Sequence, residues 1–154
     1  MADPKRLQVR DRFITVLSAI IAGETYFYTP ELVTKSFVEY AKGPGKIRLT
    51  AYTDEGGEIV NHSGAVDETF YIAVEGYVEN QSDPVAMAEK VIQDIRVAID
   101  ADAKTFNASN LGGLCLQVVM DESVDVVNEM AVEGIILFRQ RFRCMITGAD
   151  FSGL

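Results

Sequence analysis

The sequence predicts an α+β domain: a mainly antiparallel sheet with two helices packed on one face. Two stretches carry apolar residues at helical spacing. The remaining apolar segments alternate with a period of two and follow one another through hairpin-like connections. With 154 residues the chain has room for one sizeable core, so residues 1–154 read as one domain.

The first helix starts at Asp3-Pro4, where proline's missing N–H costs nothing. Leu7, Phe13, Val16, Leu17, Ile20 and Ile21 share one face, Arg6, Arg10 and Asp11 lie off it, and Gly23 is the expected stop. An aromatic link, Glu24 to Glu31, forms either a lid over the core or a contact between subunits. Leu32 to Tyr40 reads as a strand, the Gly43-Pro44-Gly45 turn follows, and Lys46 to Tyr52 alternates with Ile47, Leu49 and Ala51 on one side. Residues 53–66, rich in Gly, Asp, Glu and Asn, are expected to form a long exposed loop.

Glu68 to Glu79 is the clearest strand, with Phe70, Ile72, Val74, Gly76 and Val78 alternating against Thr69, Tyr71, Ala73, Glu75 and Tyr77. Asp83 and Pro84 then read as the N-cap and first residue of the second helix. Its core face is Val85, Ala88, Val91, Ile92, Ile95 and Ile99. Lys90 with Asp94, and Asp100 with Lys104, are expected on its exposed side. A turn at 110–114 leads to a short strand, Cys115 to Met120, and then an acidic connection, Asp121 to Glu129. The final strand spans roughly Met130 to Thr147, with Ile136, Phe138, Phe142, Cys144 and Ile146 on one side, interrupted by Gln140.

Net charge is −9, which argues against a protein that grips nucleic acid through phosphate neutralisation. A negative surface would instead let DNA slide past. The longest uncharged apolar run, Phe13 to Ala22, falls well short of the roughly 20 residues that cross a bilayer. It also lacks a cleavage site after it, so the chain is expected to be cytosolic at synthesis. Cys115 and Cys144 read as small buried hydrophobes rather than as a disulfide or metal pair.

Catalytic patterns are not found. His62 beside Asn61 and Ser63 reads as a solvated residue of the polar loop, without the strand-to-helix elbow of a serine nucleophile. The glycine pairs at 56–57 and 112–113 match no phosphate-binding loop. Asp121, Glu122, Asp125 and Glu129 lack the alternation and central glycine of a calcium loop. No cofactor is therefore expected, and the reading is non-enzymatic.

The feature with most functional content is Arg139, Arg141 and Arg143. Alternate residues of one strand place these guanidiniums on one sheet face about 7 Å apart. They are three of fourteen basic residues in an acidic chain. They form either a solvated, aggregation-resistant face or a strip that docks on carboxylates of another copy in a heterologous contact.

Taken in order, these elements resemble the tail terminator, or tail completion (neck), proteins of long-tailed bacteriophages. The resemblance lies in the N-terminal amphipathic helix and the strand Phe70-Tyr-Ile-Ala-Val-Glu-Gly-Tyr-Val78 running into an Asp83-Pro84 helix start. It continues in the helix Met87 to Ile99, the Leu111-Gly-Gly-Leu114 turn and the closing Phe138-Arg-Gln-Arg-Phe-Arg143. It implies a homo-oligomeric, commonly hexameric ring that caps the tail tube and presents the head-attachment surface, with DNA passing unbound through its lumen. The partners implied are other copies of the chain, the tail tube protein and a head-completion or neck protein, with no membrane. The implied location is the host cytoplasm during assembly and then the virion. Arg139, Arg141 and Arg143 become candidates for a subunit interface, and Asp54, Glu55, Glu58 and His62 for a loop facing tube or neck. A head–tail connector component and a small ligand-binding α/β domain are the other readings.

Overall fold

The computed structural model describes residues 3–62, 65–103, 115 and 117–147. Its elements are α1 (Lys5–Ser18), β1 (Leu32–Thr34), α2 (Phe37–Lys42), β2 (Ile47–His62), β3 (Ala65–Glu79), α3 (Pro84–Ala103), β4 (Gln117–Val127) and β5 (Ile135–Thr147). The strands form one sheet in the order β1-β2-β3-β5-β4. Every pairing is antiparallel except β1 with β2. The α+β class and the two helices on one face, α1 and α3, are as the sequence predicts.

α1 buries Val9, Phe13 and Leu17, four residues apart, in one stripe. It ends at Ser18, earlier than Gly23, in a tightened turn where the Ala19 and Ile20 N–H groups donate to the carbonyls of Val16 and Leu17. Ile20 therefore still reaches the core, whereas Ile21 turns out to 69% exposure instead of joining the stripe.

The link after α1 is a lid. Tyr26 and Tyr28 pack against the core, and the Phe27 and Tyr28 N–H groups donate to the carboxylate of Asp94 in α3. Asp94 is thus buried at 3% exposure rather than paired with Lys90 on the helix exterior. Lys104, the expected partner of Asp100, lies outside the described residues, as does the 110–114 turn.

The predicted strand over 32–40 breaks after Thr34. Ser36 caps α2 by accepting the Glu39 N–H, and the Glu39 carboxylate accepts the Thr34 hydroxyl at 2.6 Å. This Ser-x-x-Glu capping pattern outweighs the β-propensity of Phe37 and Val38. α2 lies on the sheet face opposite α1 and α3: Arg48, buried beneath it, donates from Nη1 to the carbonyls of Tyr40, Ala41 and Gly43.

The predicted 53–66 loop is instead two strand arms, because β2 runs on to His62 and β3 starts at Ala65. Between Asp54 and Glu58 the pairing skips, with Gly56 and Gly57 at φ +100° and +105°. Those are values that glycine adopts without a Cβ clash. Ile59 and Val60 fall on opposite faces and both are exposed, so no apolar alternation marks the arm as a strand. The acidic connection at 121–129 is corrected in the same way: β4 continues to Val127 through a second irregularity between Met120 and Val124. β5 begins at Ile135, after a 3-10 turn at Ala131–Glu133 and Gly134 at φ +82°.

α3 starts as predicted, with Asp83 accepting the Ala86 N–H. Its buried face packs on the inward residues of β3 and β5, and Phe13 meets Phe142 edge to face at 5.2 Å. Gln140, the polar residue in that row, is fully buried. It accepts from Arg96 Nε at 2.8 Å and donates to the backbone carbonyls of Asp121 and Arg141. Its interior position is satisfied on both sides.

Candidate functional site

Side chains alternate along a strand, so the residues between the core positions of β2, β3 and β5 project from the face that α1 and α3 leave bare. Here the structure brings together several of the residues singled out by sequence. Arg139 lies directly opposite Asp125 across the β4–β5 pair, with Nη2 2.7 Å from its carboxylate. Arg141 has Nε 3.1 Å from the Asp54 carboxylate, off the N–H axis, and Asp54 also lies 3.5 Å from Arg139. Asp121 lies 3.8 Å from Arg141.

Asp54 stands at the start of the β2 irregularity, one strand beyond β3, and Asp121 lies inside the β4 irregularity beside β5. Arg141 Nη2 donates to the Glu55 carbonyl inside the β2 irregularity, while its guanidinium stacks on the Tyr71 ring at 3.9 Å. The expected row of three partner-seeking arginines is therefore divided. Arg139 and Arg141 are neutralised within the chain by acids from the adjacent β4 and, across β3, from β2, and Arg143 alone projects without an ion pair among the described residues. Asp54 faces its own arginines, with its side chain 12% exposed. Glu55 and Glu58 are exposed in the β2 arm; the His62 side chain and Ser63 lie outside the described residues.

Beside this charge lattice lies a cleft of about 530 Å³ that sequence reading missed. α2 supplies one wall through Tyr40 and Ala41, and Val127 and Met130 supply the other. Glu75, Tyr77, Leu137 and Arg139 form the floor. Glu75 accepts the Tyr52 hydroxyl at 2.8 Å and has no ion-pair partner among the described residues. Tyr77 is stacked under the Arg48 guanidinium at 3.7 Å. Only the outward row Tyr71, Glu75, Tyr77 was visible in the sequence; Tyr40 was hidden by the strand assigned over α2.

The phenols around the cleft resist ionisation. Burial, then hydrogen bonding to Glu75, pushes Tyr52 up to about 12. Burial, then the charge of Glu75, pushes Tyr40 up further, and burial with the Glu79 hydrogen bond raises Tyr77. The Asp125 hydrogen bond raises Arg139 above the ordinary guanidinium value. On the core side, Cys115 and Cys144 are buried free thiols, and the hydrogen bond from Cys115 together with burial raises Cys144.

Among the described residues no group of three His, Cys, Asp or Glu side chains could hold a metal ion, and no helix is long and apolar enough to cross a membrane. The arrangement offers a largely apolar cleft, with Glu75 free of an ion pair among the described residues, beside a lattice of internally paired charges. No family model matches the sequence, and no curated protein matches it.

Proposed function

We propose that this chain is a structural subunit of a long-tailed bacteriophage, assembling into a ring that caps the tail tube and presents the surface to which the head attaches. The observation that carries the reading is the sheet face that α1 and α3 leave uncovered, together with its open edge. β4, eleven residues long, pairs only with β5 among the described residues, and Val119, Met120, Val126 and Val127 are each 36–41% exposed along it. A long edge with exposed apolar side chains, unpaired among the described residues, is a liability in a lone subunit and an asset in an assembly.

The internal pairing of Arg139 and Arg141 supports the same reading. Charges already neutralised by neighbours lose less on leaving water than free ones do, so this face can be buried against another copy. Arg143, which has no ion pair among the described residues, is the arginine this reading directs to a partner carboxylate. The order of elements resembling the tail terminators supplies the particular place in the virion, and the net charge of −9 suits a lumen that DNA passes through without adhering. The partners of this reading are other copies of the chain, a tail tube protein and a head-completion protein. Its location is the host cytoplasm and then the virion neck.

The test is electron microscopy of headless tails mixed with the purified chain. Added density confined to the head-proximal end supports the reading, and protein that binds neither end of the tube refutes it. The cleft favours a second reading, a small ligand-binding domain. That reading predicts that a metabolite co-purifies with the monomer.

A further inference from the structure

We infer that the outer-face cleft is a socket for the Phe27–Lys90 knob of a second copy, a head-to-tail contact that builds on the assembly reading above. Lys90 Nζ lies 5.5 Å from the centre of the Phe27 ring, and Phe27 is 55% exposed. The other three cation–aromatic contacts among the described residues use the side chains of Phe70, Tyr77 and Tyr71, which lie in the sheet. This one stands outward on the helical layer. Its base is rigid, because Asp94 fixes the Phe27 and Tyr28 backbone.

The socket is complementary in polarity and charge. Leu137, Met130 and Val127 offer apolar surface for a ring, at about 530 Å³ of room. Arg139, the register partner of Glu75, is already bonded to Asp125, and Arg48 is spent on backbone carbonyls, so Glu75 has no ion pair of its own among the described residues. A cation arriving beside an aromatic ring meets that carboxylate over a half-buried floor, where an ion pair counts for more than at an open surface.

Geometry then fixes the symmetry. The knob lies on the helical face of the sheet and the socket on the opposite face. One copy's knob in the next copy's socket leaves a free knob and a free socket at the ends. Such a contact is heterologous, so it propagates into a ring or a filament and cannot close as a two-fold dimer.

Sedimentation velocity of the full chain over a concentration series tests this. Wild type is expected to associate beyond the dimer. Lys90→Glu and Phe27→Ala each weaken that association by about tenfold or more. Glu75→Gln, which keeps a hydrogen-bond acceptor for Tyr52, weakens it with unchanged thermal melting. Lys90→Glu mixed with Glu75→Lys restores heterotypic pairs that neither forms alone. Unaltered association in folded Lys90→Glu and Phe27→Ala overturns the contact, as does a wild type that stays monomeric up to about 1 mM, the weakest affinity worth calling specific. Tail capping retained by folded Lys90→Glu would remove this contact and leave the tail reading standing. Charge-swap rescue in a protein that ignores tails would do the reverse.

Discussion

Asp94 accepts the backbone N–H of Phe27 at 2.9 Å across 67 residues of sequence, and so ties the aromatic link to the middle of α3. The carboxylate is 3% exposed and also takes the Tyr28 N–H at 3.0 Å. Replacing it by Ala orphans two donors next to the core. Asp94→Ala is expected to lower stability by about 2–3 kcal/mol, and Asp94→Asn by less, measured by urea unfolding. Faster hydrogen exchange confined to Phe27 and Tyr28 would identify the lid as the part released.

Gly76 and Phe138 make a second prediction. They are register partners on the core face, and a Cβ on Gly76 would collide with the Phe138 ring. Gly76→Ala should cost about 1–3 kcal/mol through overpacking. Combining it with Phe138→Leu should cost less than the two single effects together, because the smaller side chain vacates the contested space.

The acids of the charge lattice should differ in weight. Asp125 is 64% exposed and Asp54 12%. Asp125→Ala is expected to cost less than about 1 kcal/mol, in line with surface ion pairs. Asp54→Ala, which leaves Arg139 and Arg141 short of a half-buried counter-charge, should cost about 1–3 kcal/mol. Denaturant midpoints of the two variants decide it, and raised salt should erase the smaller effect first.

Alkaline pH provides a fourth check. A phenol whose folded pKa lies above its unfolded value of about 10 disfavours ionisation in the native state. Its contribution to stability is therefore full below about pH 10 and is lost as pH rises through the folded value. For Tyr52 that loss runs from about pH 10 to about 12, with Tyr40 and Tyr77 shifted in the same direction. Ultraviolet titration should show a late-ionising subset of the six tyrosines. Tyr52→Phe should remove one member of that subset.

Legibility followed burial. α3 and the core rows of β3 and β5 were readable because one face of each is wholly apolar, and periodicity records such a face directly. The distal arm of β2 and the second half of β4 were not, because neither carries an unbroken apolar row and acids interrupt both, so Asp54, Asp121 and Asp125 looked like loop residues. α2 was missed because a Ser36–Glu39 cap decides six residues whose propensity points to a strand. The arginine row of β5 was visible, but its in-chain acid partners were not, since pairing across strands depends on register. The cleft could not be seen at all, because its walls come from α2 and from the segment after β4.

The irregularities of β2 and β4 carry a rule about chain length. From Asp54 to Glu58 is four steps while Tyr71 to Thr69 is two. From Met120 to Val124 is four while Phe142 to Gln140 is two. Each inserts an even number of residues, so inward and outward positions beyond it keep their sense. Removing Gly56 alone would swap Ile59 and Val60 between faces and carry the rest of the arm with them, whereas removing Gly56 and Gly57 together would not. Relatives of this chain should therefore vary in these two arms by pairs of residues.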